Sequence, residues 1–149
     1  MEVLADNKKA YFNYNILEKF EAGLALTGHE VKSIRTGHLS LQGSYVIIRG
    51  EEAYLLNATI SPFQPKNAPK NYDPARTRKL LLHKHEILSL IGKTKQKGLT
   101  LVPISVYTKK ANLKLEFGLA RGKRQIDKRD KIIKRETKRE IDRDIRGKY

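Results

Sequence analysis

Apolar and polar positions alternate in short runs over most of the first 119 residues, with turn formers between the runs. That is the signature of half-buried strands. Phe12, Tyr14 and Ile16 alternate with Asn13 and Asn15, which predicts one strand, and Ala22, Leu24 and Leu26 predict a second. The period then changes. Thr27 and Glu30 have the spacing of a capping box, with Leu26 and Val31 at the staple positions. A helix therefore starts there, with Val31 and Ile34 inward, Lys32 and Arg35 outward and Gly37 as its stop. Leu39, Leu41, Tyr45 and Ile47 share one parity, and Arg49 to Glu52 turn the chain into a partner arm carrying Tyr54, Leu56, Ala58 and Ile60.

Periodicity stops from Ser61 to Pro74, a span with Pro62, Pro65, Pro69 and Pro74 that predicts a long irregular loop. A short basic strand follows over Arg76 to Leu82. Alternation there sends Leu81 to the face opposite Leu80 and Leu82, and the pattern alone leaves open which face is exposed. Ile87, Leu88, Leu90 and Ile91 form the apolar face of a second helix that ends before Gly98. Two strands close the periodic region, one with Val102, Ile104 and Val106 in phase, the other with Leu113, Leu115, Phe117 and Leu119. Pro103 in the first of these predicts an edge or a bulge. The whole reads as a mainly β protein, a small antiparallel β-barrel of the OB-like kind with two or three helices.

Charge changes the picture at the end of the chain. From Gly118 to Tyr149 there are thirteen Lys or Arg against six Asp or Glu, around a broken stripe of isoleucines. Opposite charges at helical spacing, such as Asp127 with Lys131 and Asp130 with Lys134, add a few tenths of a kcal/mol each, too little to hold an isolated helix. The expected organisation is a body over 1–119 and a basic tail over 120–149, with Gly118 and Gly122 as a hinge. The tail is expected to be disordered when free and to become helical on a polyanionic partner. The body is positive as well, since the whole chain carries 31 basic and 16 acidic residues. RNA or DNA fits that balance better than a membrane: no apolar run approaches ~20 residues, and no signal peptide precedes Tyr11. The absence of cysteine excludes disulfides and thiolate zinc sites and is compatible with the cytoplasm.

Catalytic sets do not emerge. His83 and His85 are two apart at a helix start, which does not place them on one helical face, and no cysteine accompanies them or His29 and His38. The serines lack an elbow context, and Gly118 to Lys123 does not match a phosphate-binding loop. The expectation is a protein that is not an enzyme and needs neither cofactor nor metal.

Three separated blocks resemble the SsrA-binding protein family, small protein B, of bacteria. They are Glu21 to Arg35, Asp73 to Leu82, and Gly118 to Lys123 with Asp127-Lys128-Arg129. The resemblance implies an antiparallel barrel that binds the tRNA-like domain of tmRNA and takes it into stalled ribosomes during trans-translation. The body would stand in for a missing anticodon arm, and the tail would lie in the empty mRNA channel and decoding site. It implies roles for Glu21, Leu81 and His83 in tmRNA binding, and for Gly122, Ile126 and the Asp127-Lys128-Arg129 run in the ribosomal step. Lys32, Arg35, Arg76, Arg78 and Lys79 are expected as further RNA contacts of the body, and Lys123, Arg124, Lys131, Lys134 and Arg135 as contacts of the tail with rRNA. The expected form is a cytoplasmic monomer. A structural ribosomal protein with an rRNA-binding arm is the competing reading.

Overall fold

The computed structural model describes residues 1–123 apart from Pro65, Asn67 and Ala68. Among the described residues, nine strands and three α-helices follow in the order β1 (Val3–Asp6), α1 (Lys9–Asn13), β2 (Tyr14–Leu24), α2 (Gly28–Arg35), β3 (Leu39–Ser40), β4 (Tyr45–Arg49), β5 (Glu52–Leu56), β6 (Thr59–Ile60), β7 (Arg78–Leu81), α3 (Lys84–Thr94), β8 (Leu99–Lys109) and β9 (Asn112–Gly122). The described part is thus mainly β, as its alternation predicted. Antiparallel pairing runs from β8 through β4, β5, β7, β2 and β9 and returns to β8, while β1 adds to β8 and β3 pairs with β6 in a separate ribbon.

The best-specified boundary forms as read. The Thr27 hydroxyl accepts from Glu30 N–H at 3.2 Å, and Glu30 Oε1 accepts from Thr27 N–H at 3.1 Å. Other boundaries differ from the sequence reading. Phe12 lies in α1, so the strand predicted over residues 12–16 begins only at Tyr14. What looked like two strands is the single eleven-residue β2. A bulge explains the misreading. The pairing of β2 with β9 shifts register between Ile16 and Glu18, which leaves Leu17 out at 57% exposure. Before the bulge, Tyr14 and Ile16 pack with Ala10, Val102 and Ala120 beneath α1. After it, Phe20, Ala22 and Leu24 join the main core with Leu115 and Phe117. One strand serves two apolar clusters because one residue is looped out.

The same device operates on β8. Its register with β9 shifts between Pro103 and Ser105, the bulge that Pro103 predicted. In consequence Val102, Ile104 and Val106 do not share one face: Leu101 and Val106 enter the main core, whereas Val102 sits in the smaller cluster. In the β4–β5 hairpin the expected parity is reversed for the strand residues. Val46, Ala53 and Leu55 are buried, while Tyr45 is 41% exposed and Ile47 and Tyr54 are half-buried. Aromatic and β-branched residues are common on outer sheet faces, so parity read from them alone can invert.

Gly118 and Gly122, expected as a hinge, lie within β9, which continues past Leu119 to Gly122. A Cβ on Gly118 would sit 2.8 Å from Ile16 Cγ2, so its role is to let β2 and β9 approach. Lys123 extends the contact, its N–H donating to Asn13 O at 2.9 Å and its Nζ to Tyr11 O at 2.9 Å. In α3, Ile87 and Leu90 are buried and Leu88 is exposed. Among the described residues no helix is long and apolar enough to cross a membrane.

Candidate nucleic-acid interface

The basic run Arg76 to Lys79 divides between interior and surface. On β7, Arg78 and Leu80 are buried while Lys79 and Leu81 are exposed, so alternation sends two neighbouring cations in opposite directions. Arg78 is fully buried, and so is Glu30 of α2. Arg78 Nη2 and Nε donate to Glu30 Oε2 at 2.6 and 3.0 Å, and Nη1 donates to the carbonyls of Ala58 and Pro74 at 2.8 and 2.9 Å. Arg76 completes the cluster, with Nη2 on Glu30 Oε1 and Nε on Oε2. Burial pushes the Glu30 carboxyl up, but hydrogen bonds from Arg76, Arg78 and the Thr27 backbone outweigh it and hold the group at about 2.

That network organises much of the long loop. Tyr72 OH donates to Ile60 O at 2.8 Å, Ile60 N–H donates to Pro74 O at 2.9 Å, and Phe63 N–H donates to His29 Nε2 at 3.2 Å. Arg78, expected among the RNA contacts, is thereby corrected to an interior residue, with its donors directed to Glu30 and two carbonyls. Arg76 likewise points its guanidinium at Glu30 and keeps only partial exposure. Two forked cations can satisfy a buried carboxylate and loop carbonyls at once, which lysine's point charge cannot do.

The outward residues converge elsewhere. Gly23 of β2 pairs with Leu81 of β7 on one side and Lys114 of β9 on the other. Leu81 is 53% exposed, and its side chain lies over Gly23, where an added Cβ would come within 3.2 Å of Leu81 Cβ. The open alternative is settled: Leu81 faces out and Leu80 in. Two shallow grooves meet at this leucine. One is lined by Leu81, His83, Lys79, Lys84 and Lys114 together with the acidic pair Glu51 and Glu52. The other is lined by Leu81, Gly23, Val31, Arg35 and Lys114. A large exposed apolar side chain beside Lys84, Lys114 and Arg35 suits a ligand with both flat apolar faces and negative charge.

Individual members are held in place. Lys79 Nζ reaches Glu52 at 2.9 Å, and Tyr54 OH donates to the same carboxylate at 2.7 Å. Arg35 Nη2 donates to Ala111 O at 2.9 Å, tying α2 to the tip of the β8–β9 hairpin. There Lys110 and Ala111 adopt φ of 49° and 67°, the pair of positive values that a two-residue primed turn requires. His83 precedes α3, its N–H donating to Glu86 Oε1 at 3.0 Å, and its ring stacks on His85 with centroids 5.6 Å apart. Glu21, two residues before Gly23, accepts from Tyr107 OH and from Lys109 Nζ, the latter at 3.2 Å. The Tyr107 hydroxyl, against the opposing effect of burial and with help from Lys109, keeps the Glu21 carboxyl below the usual carboxylate range.

Of the expected body residues, Lys79, Leu81 and His83 line one groove and Leu81 and Arg35 the other, while Glu21 lines neither but shares strand parity with Gly23 on β2. Lys32 is exposed on α2 but lines neither groove. Lys114, Gly23, Lys109 and Tyr107 were not singled out from the sequence. Lys114 had a legible signal, since it alternates with Leu113 and Leu115, whereas its place beside Leu81 depends on strand order that no local pattern carries. Of the tail residues, Gly122 ends β9 and Lys123 contacts α1, while Arg124, Ile126, Asp127, Lys128, Arg129, Lys131, Lys134 and Arg135 lie outside the described residues. No group of three or more potential metal ligands occurs among the described residues.

Comparison with known proteins gives one answer at the level of family. The family model described as SmpB protein matches residues 4–147. An SsrA-binding protein of Acaryochloris marina is 54% identical over 97% of this chain and 94% of its own length. Another, of Carboxydothermus hydrogenoformans, is 50% identical over 99% of both. A solved chain from work described as "tmRNA-SmpB: a journey to the center of the bacterial ribosome" superposes with a TM-score of 0.69 at 46% identity, covering 89% of this chain and 95% of that one. With outward Leu81 and its basic surround now placed, and with these matches running nearly end to end, the chain belongs to the SmpB family.

Proposed function

We propose that this protein binds the tRNA-like domain of tmRNA and delivers it to stalled ribosomes for trans-translation. The observation that carries the reading is the outer face around Leu81 and Gly23, where an exposed leucine sits among Lys79, Lys84, Lys114 and Arg35. Double-stranded RNA is recognised mainly by shape and phosphate contacts, and unpaired bases stack or pack on exposed side chains. A face with both features fits a folded RNA that has helical stems and splayed loops. Membership of a family whose curated relatives are SsrA-binding proteins supports the choice of tmRNA among such RNAs.

In this reading the cycle of strand pairings is an OB-like barrel and works as a rigid platform. The body reaches through β9, and the basic segment from Arg124 onward forms the tail that enters the vacated mRNA channel and decoding site. Gly122, Ile126 and Asp127-Lys128-Arg129 act at that step. The protein is a cytoplasmic binding factor with no chemistry of its own, since peptide transfer belongs to the ribosome.

Binding of the full-length protein to a tmRNA transcript and to a ribosomal RNA fragment of equal length tests the reading. Tighter binding of tmRNA is expected, with affinity falling as salt rises by a log–log slope of roughly −0.7 to −0.9 per neutralised phosphate. Equal affinity for both RNAs, together with stoichiometric retention on ribosomes through high salt, would instead establish a structural ribosomal protein.

A further inference from the structure

Glu21 is a carboxylate in basic surroundings, and one of its partners comes from the interior. Tyr107 of β8 is only 5% exposed, yet its hydroxyl donates to Glu21 Oε2. Lys109, two residues further along the strand, is exposed and straddles the carboxylate, with Nζ at 3.2 Å from Oε1 and 3.4 Å from Oε2. On β9, Glu116 is the cross-strand neighbour of Glu21 but is engaged by Lys19 at 3.8 Å, and Lys114 adds positive charge nearby. On the β7 and α3 side, Leu81 and His83 line the adjoining groove.

An ionised carboxylate only accepts hydrogen bonds and repels phosphate. On an RNA-binding face it is therefore useful only toward groups that carry donors: the N–H edge of an unpaired base or a ribose 2′-hydroxyl. Tyr107 and Lys109 take up part of its about four acceptor positions, and the Glu21 side chain remains 35% exposed, which leaves capacity toward solvent. A carboxylate free to rotate would lose entropy on meeting such a donor, and one already fixed from below does not.

We propose that Tyr107 is a positioning residue for RNA recognition: its buried phenol fixes the ionised Glu21 carboxylate on the Leu81 face, where it accepts a hydrogen bond from a base N–H or a 2′-hydroxyl of the bound RNA. The inference rests on the reading of this face as the tmRNA interface. It assigns specificity to Glu21 and Tyr107 and leaves general affinity to the lysines. The hydroxyl that orients Glu21 is also the largest influence lowering its carboxyl below the ordinary range, so its removal shows toward the acid end of the pH profile.

The test uses the full-length protein, a tmRNA transcript and an unrelated RNA of equal length, with binding measured from about pH 8 down to about pH 5. Tyr107→Phe keeps the ring and removes the hydroxyl. It is expected to weaken tmRNA binding about tenfold, as loss of one well-placed contact does, and to leave binding of the unrelated RNA unchanged. Glu21→Gln is expected to show the same selective loss, and the double variant to be no weaker than Glu21→Gln alone. The ratio of Tyr107→Phe to wild-type affinity should fall further toward pH 5, whereas a purely structural role would leave that ratio flat. Thermal melts of each variant separate misfolding from a local effect, and Glu21→Gln, which keeps the phenol, tests the face if Tyr107→Phe does not fold. A 2′-deoxy-substituted tmRNA domain distinguishes the donors: Glu21→Gln loses its effect on that RNA if the donor is the 2′-hydroxyl and keeps it if the donor is a base. Wild-type affinity and pH profile for Tyr107→Phe, with Glu21→Gln impaired, would overturn the inference alone. Equal binding of both RNAs by the wild type would overturn the functional reading and this inference with it.

Discussion

Glu30 and Glu21 lie nine positions apart in sequence, each surrounded by cations, and their environments have opposite consequences. Glu30 is fully buried, and its carboxylate is held by two arginine forks, the Thr27 N–H and the Tyr72 hydroxyl. Glu21 is partly exposed and is held by a lysine and a buried phenol. The difference teaches what positive charge does in this protein. Arginine and a buried carboxylate tie Ala58, Tyr72 and Pro74 to α2, whereas lysines stay on the surface around an apolar patch. A count of basic residues cannot tell these uses apart, but burial can.

The largest expected effect separates the two carboxylates by stability. Arg78→Ala leaves Glu30 with Arg76 as its one described cationic partner and removes two carbonyl contacts, and it should lower unfolding free energy by about 3–5 kcal/mol, measured by urea denaturation. A loss under about 1 kcal/mol accompanied by weaker tmRNA binding would return Arg78 to the RNA-facing set. Acid gives the next effect. The folded Glu30 carboxyl sits at about 2 against an ordinary value of 4.5. A depressed carboxyl stabilises the fold above its unfolded value, and that contribution is lost as pH falls through the folded one. Stability should therefore fall by roughly 3 kcal/mol between about pH 5 and pH 2. The Arg78→Ala variant should show a shallower fall, and an equal slope would remove the coupling.

On the Glu21 side the expected effects are on binding. Leu81→Asp should weaken tmRNA binding about tenfold or more while changing stability by less than about 1 kcal/mol, because the side chain is 53% exposed. A collapse of the melt would show that its contact with Gly23 is structural. Truncation after Lys123 should have the smallest effect on recognition. It keeps all of β9 and the Lys123 contacts with α1, so preference for tmRNA over an unrelated RNA should persist while tagging of stalled peptides is lost. Loss of that preference with an unchanged melt would move recognition into the tail.

Much of this was legible in the sequence. The capping box at Thr27 and Glu30 gave the start of α2, the alternation from Leu113 to Leu119 gave β9, and Pro103 gave a bulge, because each depends on neighbours within a few residues. The bulge at Leu17 was not legible. A looped-out residue changes the face of a strand without changing its composition, so one strand serving two clusters read as two strands. The parity of the β4–β5 hairpin was ambiguous for a related reason: Tyr45, Ile47 and Tyr54 are apolar enough for a core and lie outside it. At the site, Leu81 needed strand order to show its face, and Arg78 needed Glu30, 48 residues away, to show its burial. The place of Glu21 within the chain was clear, but the hydroxyl of Tyr107, 86 residues on, was beyond any local pattern.

The central claim is that the Leu81 face is where tmRNA binds. Crosslinking the purified full-length protein to total bacterial RNA and sequencing what is retained addresses it most directly, with Leu81→Asp and Arg78→Ala run beside the wild type at a temperature where all three are folded. The account predicts that wild type and Arg78→Ala both enrich the tRNA-like domain of tmRNA, and that Leu81→Asp does not. Enrichment of ribosomal RNA by the wild type, or undiminished recovery of tmRNA by Leu81→Asp, would contradict it.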